Sequence, residues 1–149
     1  MVQRAARSWC HDDSFDATGE VQISNGGKFI TLPRPKSQGE NDWYFDLFHN
    51  HRDIDGSDRY WLDISEFKPA TNPRKWVYTD GTPVSWTNWR DGEPNDHGDD
   101  GEPFVEVDHE RLWNDVKDTT ERQFLCVYQL PVGASKTCIW LSDYDDSYR

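Results

Sequence analysis

The chain has 149 residues, a net charge of −12 at pH 7, and eight Trp, seven Phe and six Tyr. That length suits one domain around one core, and the aromatic rings supply much of the area to be buried. The charge argues against nucleic acid or an anionic membrane as partner, and no apolar run approaches the roughly 20 residues of a membrane span.

In chain order, VQRAARSWC reads as a short helix, because Val2, Ala5, Ala6 and Trp9 fall near one face. The same opening lacks an apolar h-region, so no secretory signal is expected in the chain as given. Residues 11–27 are polar and broken by glycine, which reads as a loop. KFITL is a short strand stopped by PRP. SQGENDWYFDLFHNH begins with Ser37, carries Glu40 three residues on, and continues through Trp43, Phe45, Leu47 and Phe48. That pattern predicts a capped amphipathic helix, with His49 and His51 at its end. RDIDGSD is a turn, RYWLDIS alternates as a strand, and residues 67–75 form a loop. WVYTDGTPVSW reads as a hairpin with an Asp-Gly turn. Residues 87–103 are irregular. PFVEVDHERLWNDV gives two strands around a turn at Asp108 to Glu110, and RQFLCVYQL gives a final strand. The tail, 131–149, is expected to be poorly ordered, although TCIWL can pair as an edge strand.

Helices followed by short antiparallel strands and long loops make an α+β plan without internal repeats. One domain is expected over residues 1–130. The cysteines are Cys10, Cys126 and Cys138, which permit at most one intrachain bridge. No C-x-x-C occurs, so zinc-ribbon and thioredoxin chemistry are not expected. A bridge joining the two ends of the chain would suit an extracellular domain, but the sequence leaves the pairing open.

The stretch WRDGEPNDHGDDGEPFVEVDHERLWND, residues 89–115, concentrates Asp and Glu where no long helix or strand can dilute them. Either it is a solvated loop or a cation balances it. An EF-hand fails: counting from Asp96, Gly101 falls at the sixth place, but the twelfth is Val107 rather than Glu. No HExxH motif or Ser-His-Asp arrangement appears. Trp61, Trp76, Trp89 and Trp113 read as core residues, and His97 as a loop residue beside the acidic cluster.

The ordered set AARSWC, GGKFITLPRPKSQGENDW, RYWLDISE, DGTPVSWTNW, GEPND, FVEV with LWNDV, and FLCVY resembles the C-type lectin-like domain across residues 5–128. The resemblance implies two helices, short antiparallel sheets and a long calcium-binding loop. It implies a disulfide between Cys10 and Cys126. The family's inner bridge would fall near Phe104 and Asp118, so that bridge is absent. Cys138 lies outside the pattern, either free or joining chains into an oligomer. The family's first strand is missing here: TCIWL takes its place, or the chain is truncated.

Glu93, Asn95, Glu102, Asn114 and Asp115 correspond to the family's principal calcium site. The resemblance implies a cis bond before Pro94 that turns Glu93 and Asn95 toward one point. Ca²⁺ takes about 6–8 oxygen ligands, and the resemblance implies that these side chains contribute to them. The same five residues are implied as the carbohydrate site. The resemblance implies that the Glu-then-Asn order of EPN favours equatorial 3- and 4-hydroxyls, as in mannose, N-acetylglucosamine or glucose, with fucose also accepted. The galactose type carries Gln and Asp there. A second metal site is drawn from Glu66, Asp96, Asp99 and Asp100, although Pro103 stands where the family often has a ligand. The implied protein is extracellular and non-catalytic. The competing reading is a protein-ligand or ice-binding module on the same fold. A glycosidase would need Glu93 and Glu102 as a carboxyl pair across a cleft, whereas calcium would keep both ionised.

Overall fold

A computed structural model describes residues 3–4, 30–51, 58–68, 73–128 and 137–139. The elements are β1 (Ile30–Thr31), α1 (Gln38–His51), β2 (Tyr60–Glu66), β3 (Trp76–Tyr78), β4 (Phe104–Val107), β5 (Trp113–Val116), β6 (Cys126–Tyr128) and β7 (Thr137–Ile139). They form two antiparallel sheets, ordered β1-β6-β7 and β3-β2-β4-β5. The fold is α+β, as expected. Of the first predicted helix, only Gln3 and Arg4 are described, and both are helical. No helix among the described residues is long and apolar enough to cross a membrane.

Helix α1 starts where the sequence places its cap. Ser37 Oγ accepts from the Glu40 amide at 3.2 Å. Glu40 Oε2 accepts in return from the Lys36 amide at 2.9 Å, one residue earlier than in the usual reciprocal box. The buried face is Asn41, Tyr44, Phe45 and Phe48, which is helical i, i+3, i+4, i+7 spacing. Trp43 stays 42% exposed, so the buried stripe is rotated from the Trp43-Phe45-Leu47-Phe48 set expected from sequence.

Strand β2 alternates between two cores. Tyr60, Leu62 and Ile64 join Tyr44, Phe48, Val105, Val107 and Trp113 on one side. Trp61 joins Leu32, Phe104, Val116, Phe124 and Cys126 on the other. All four β4 side chains are buried, because β4 lies between β2 and β5 with both faces covered. The period of two therefore separates two cores rather than a core from solvent.

At the two positions implied for the absent inner bridge, Phe104 packs edge-on to Trp61 with centroids 6.5 Å apart. Arg4 lies 5.4 Å over the Phe104 ring and 3.8 Å from the Asp118 carboxylate. Cys126 is disulfide-bonded. Its implied partner, Cys10, lies outside the described residues. The edge strand foreseen within TCIWL spans Thr137–Ile139 and pairs antiparallel with β6.

The hairpin after β3 uses a three-residue loop rather than a two-residue Asp-Gly turn. Tyr78 N donates to Thr82 O and Gly81 N to Tyr78 O, both at 2.9 Å, with Gly81 at φ 81°. This is a turn closed by a left-handed glycine, which suits the twist of the strands. Asp80 Oδ1 accepts from the Thr82 amide at 2.9 Å, and Oδ2 pairs with Arg34 at 2.7 Å. The Thr82 hydrogen bonds, helped by Arg34, hold the Asp80 carboxyl down at about 2, below its usual 3.8. A depressed carboxyl pKa stabilises the fold above the unfolded value and loses that contribution as pH falls through the folded one. Urea unfolding of Asp80→Asn is therefore expected to show a stability gap from the parent at pH 5 that closes between pH 4 and 2. A gap independent of pH would exclude this account.

Candidate functional site

Strand β5 is the platform for the site. Trp113 is fully buried, and its Nε1 donates to Asn41 Oδ1 of α1 at 2.8 Å. Trp86 and Trp89 meet its ring edge-on at 5.3 and 5.7 Å. Beside it, Trp113 N donates to Asn88 O at 2.8 Å, and Arg90 N donates to Trp113 O at 2.9 Å. The start of the long loop is thus bonded to β5. Asp108 closes the β4–β5 turn, its Oδ1 accepting from the Glu110 and Leu112 amides at 2.8 and 3.1 Å. Arg90 Nε fixes the other Asp108 oxygen at 2.7 Å.

The loop then brings two motifs together. The Glu93–Pro94 peptide bond is cis. Asn95 Nδ2 donates to Glu93 Oε1 at 2.9 Å. The Asn95 amide reaches both Glu93 Oε2 at 3.1 Å and Asp115 Oδ1 at 3.0 Å. The Asp96 amide donates to Asp115 Oδ2 at 3.0 Å. Residues twenty positions apart therefore share one hydrogen-bonded group. Asp115 is fully buried, whereas Asn95 and Asp96 are exposed, so the group runs from the sheet interior to the surface. Partial burial raises the pKa of the Glu93 carboxyl, and the neighbouring Asp115 carboxylate raises it further. Like charges held this close favour a cation between or beside them.

Asn114 is oriented from behind. Its Nδ2 lies 3.4 Å from Oε1 of the fully buried Glu106. Arg59 donates to the same Glu106 oxygen at 2.6 Å, and Arg122 bonds Oε2. One Nδ2 hydrogen is thus aimed at a carboxylate in both Asn114 and Asn95, which fixes the orientation of each amide.

Glu102 joins this group through Asp96 and lies near enough for its charge to act on Glu93. Its Oε2 accepts from the His97 amide at 2.7 Å, and its own amide donates to Asp96 Oδ1 at 2.9 Å. Among the described residues, no three His, Cys, Asp or Glu side chains converge as a metal cage. The structure joins Glu93, Asn95 and Asp115, sets Asn114 on the same strand as Asp115, and holds Glu102 on the loop opposite. The donors are all hard oxygens, two of them on like-charged neighbouring carboxylates. This set fits calcium in chemistry.

The second set is arranged differently. Glu66 and Asp96 both face Arg74, at 3.0 and 3.4 Å. Burial pushes the Glu66 carboxyl up, but hydrogen bonds from Lys68 and Arg74 outweigh it and hold the pKa below the usual range. Asp99 and Asp100 are exposed in the turn before Gly101. Arg74 and Glu106 are the site residues that sequence reasoning missed. Arg74 lay in a segment read as plain loop, and Glu106 in a segment read only as a strand.

The Lectin C-type domain family model matches residues 25–128, and the chain belongs to that family. A mannose-binding protein of Gallus gallus is 29% identical over 94 residues, covering 63% of this chain and 33% of that protein. A hepatic lectin of Gallus gallus is 32% identical over 77 residues, covering 50% of this chain and 35% of that protein. The chain thus matches about a third of the length of these relatives. The mouse scavenger receptor C-type lectin carbohydrate-recognition domain shares the fold, with a TM-score of 0.62 and 20% identity over 84% of this chain and 80% of that one. A calcium-independent type II antifreeze protein also shares it, with a TM-score of 0.57 and 21% identity over 85% of this chain and 77% of that one.

Proposed function

We propose that this domain binds carbohydrate through one calcium ion held by Glu93, Asn95, Glu102, Asn114 and Asp115, without catalysis. The observation that carries the reading is the Asn95 amide bonded to Asp115 Oδ1 at 3.0 Å, which ties the EPN and WND motifs into one group. Calcium there would accept two adjacent ring hydroxyls in place of water. Around those hydroxyls, Glu93 and Glu102 accept hydrogen bonds while Asn95 and Asn114 donate. Supporting a mannose-type preference, the Glu-Pro-Asn order is intact, and one relative carries the name mannose-binding protein. The expected partners are glycans with equatorial 3- and 4-hydroxyls. An extracellular setting is supported by the disulfide at Cys126, for which Cys10 is the proposed partner. Cys138 is the proposed link between chains.

The test is retention on immobilised mannan. The protein is expected to bind in millimolar Ca²⁺ and to elute with chelator. Single-site affinity should be in the millimolar range, about −4 kcal/mol. Folded, calcium-saturated protein that binds no glycan would end this reading.

A calcium-independent module for a protein ligand or ice is the second reading. It is favoured by Arg74, which already neutralises Asp115 without metal, and by likeness to the antifreeze fold. Retention unaffected by chelator would favour it. An enzyme reading would require mannoside turnover that disappears in Glu93→Gln or Glu102→Gln.

A further inference from the structure

Arg74 directly precedes the Lys75-Trp76 step into β3 and makes an unusual set of bonds. Its Nε donates to Glu66 Oε1 on β2 at 3.0 Å. Nη1 donates to Asp115 Oδ2 on β5 at 2.5 Å. Nη2 donates to the Glu102 carbonyl at 2.6 Å and lies 3.4 Å from Asp96 Oδ1, both on the long loop. The guanidinium sits 4.6 Å over the Trp76 ring, and the side chain is only 17% exposed. Two carboxylates from the sheet, one from the loop and a loop carbonyl all point at one planar cation. A divalent ion bridging sheet to loop would need the same oxygen donors.

We propose that Arg74 is a tethered cation occupying the position of a second metal ion, so that the loop is fastened to the sheet before any calcium arrives and the domain takes one ion rather than two. The count of charge agrees. Five carboxylates, Glu66, Glu93, Asp96, Glu102 and Asp115, lie in this part of the domain; Arg74 meets three of them, Glu66, Asp96 and Asp115, and Lys68 meets Glu66. One divalent ion leaves this group with a single negative charge, whereas a second ion would make it positive. Glu66 Oε1, Asp96 Oδ1 and Asp115 Oδ2 are engaged by the guanidinium and are not open to a second ion, whereas Asp115 Oδ1 lies on the side of the Asn95 amide, toward the proposed calcium site. Burial depresses the Arg74 pKa, but Asp115 and Glu66 outweigh that and raise it, so the cation is permanent. Arg74 is a positioning residue: it reaches the proposed calcium site through Asp115 and the Glu102 backbone. The single-ion half rests on the calcium reading above; the fastening half does not.

The test combines calorimetric calcium stoichiometry with amide hydrogen exchange at Asn95, Asp96 and His97 in chelator, for the parent, Arg74→Gln and Arg74→Lys. The parent is expected to take one ion and to protect these amides in chelator. In Arg74→Gln the amides should exchange at least about tenfold faster in chelator, with saturating Ca²⁺ restoring protection. Arg74→Lys keeps the charge but loses the fork, and should fall between the two, which guards against a misfolded glutamine variant. Two ions in the parent, or unchanged exchange in both variants, would overturn the proposal. If no protein takes an ion but exchange still quickens in the variants, the fastening role stands and the calcium reading falls.

Discussion

Asp115→Ala is expected to lose about 3 kcal/mol of unfolding free energy in chelator and to abolish calcium-dependent retention on mannan. Asp115 is fully buried and accepts from Arg74 and from the Asn95 and Asp96 amides. Removing one member of a buried pair leaves the other charge without its partner, which costs about 3–5 kcal/mol. The lower end applies because Arg74 keeps Glu66. The loop amides lose their acceptor at the same time, so Glu93 and Asn95 come away from β5. Urea unfolding measures the first effect and column retention the second. A stability loss below about 1 kcal/mol would mean that the carboxylate is not what ties loop to sheet.

The second large effect is on sugar choice. The double variant Glu93→Gln with Asn95→Asp is expected to lose mannan retention by at least tenfold, about 1.4 kcal/mol, and to gain retention on galactose. Asn95 Nδ2 now donates to Glu93 Oε1, and the swapped pair rebuilds that bond with its direction reversed. The hydroxyls then meet a donor where they met an acceptor, and an acceptor where they met a donor. Because size and charge are nearly conserved, the loop should keep its hydrogen bonds to Asp115. Unchanged retention on mannan would refute the role given to the EPN order.

How much was readable in advance follows from which interactions are local. The Ser37–Glu40 cap and the strands around Asp108 were legible because caps and turns are made by neighbours in sequence. Glu93, Asn95, Asn114 and Asp115, four of the five proposed ligands, could be singled out because they sit in the short EPN and WND motifs. The helix face was read out of phase: Asn41 is polar, yet it is buried because Trp113 Nε1 and the Arg111 carbonyl need a partner. Arg74 was invisible for a related reason. Its partners lie 8 to 41 residues away, and no periodicity marks a guanidinium that serves three elements. Glu106 was hidden by alternation itself, since its strand is covered on both sides and a carboxylate there survives only among Arg59, Arg122 and Asn114.

Strand β7 has a practical corollary. Val127 is flanked in the ladder by Thr31 on one side and Cys138 on the other, so β6 presents no bare backbone edge. A shortened version ending before Thr137 would unzip one of those neighbours and offer β6 amides and carbonyls to strands of other molecules. Tags or fusion partners are better joined downstream of Ile139, where they leave the hem of this sheet intact.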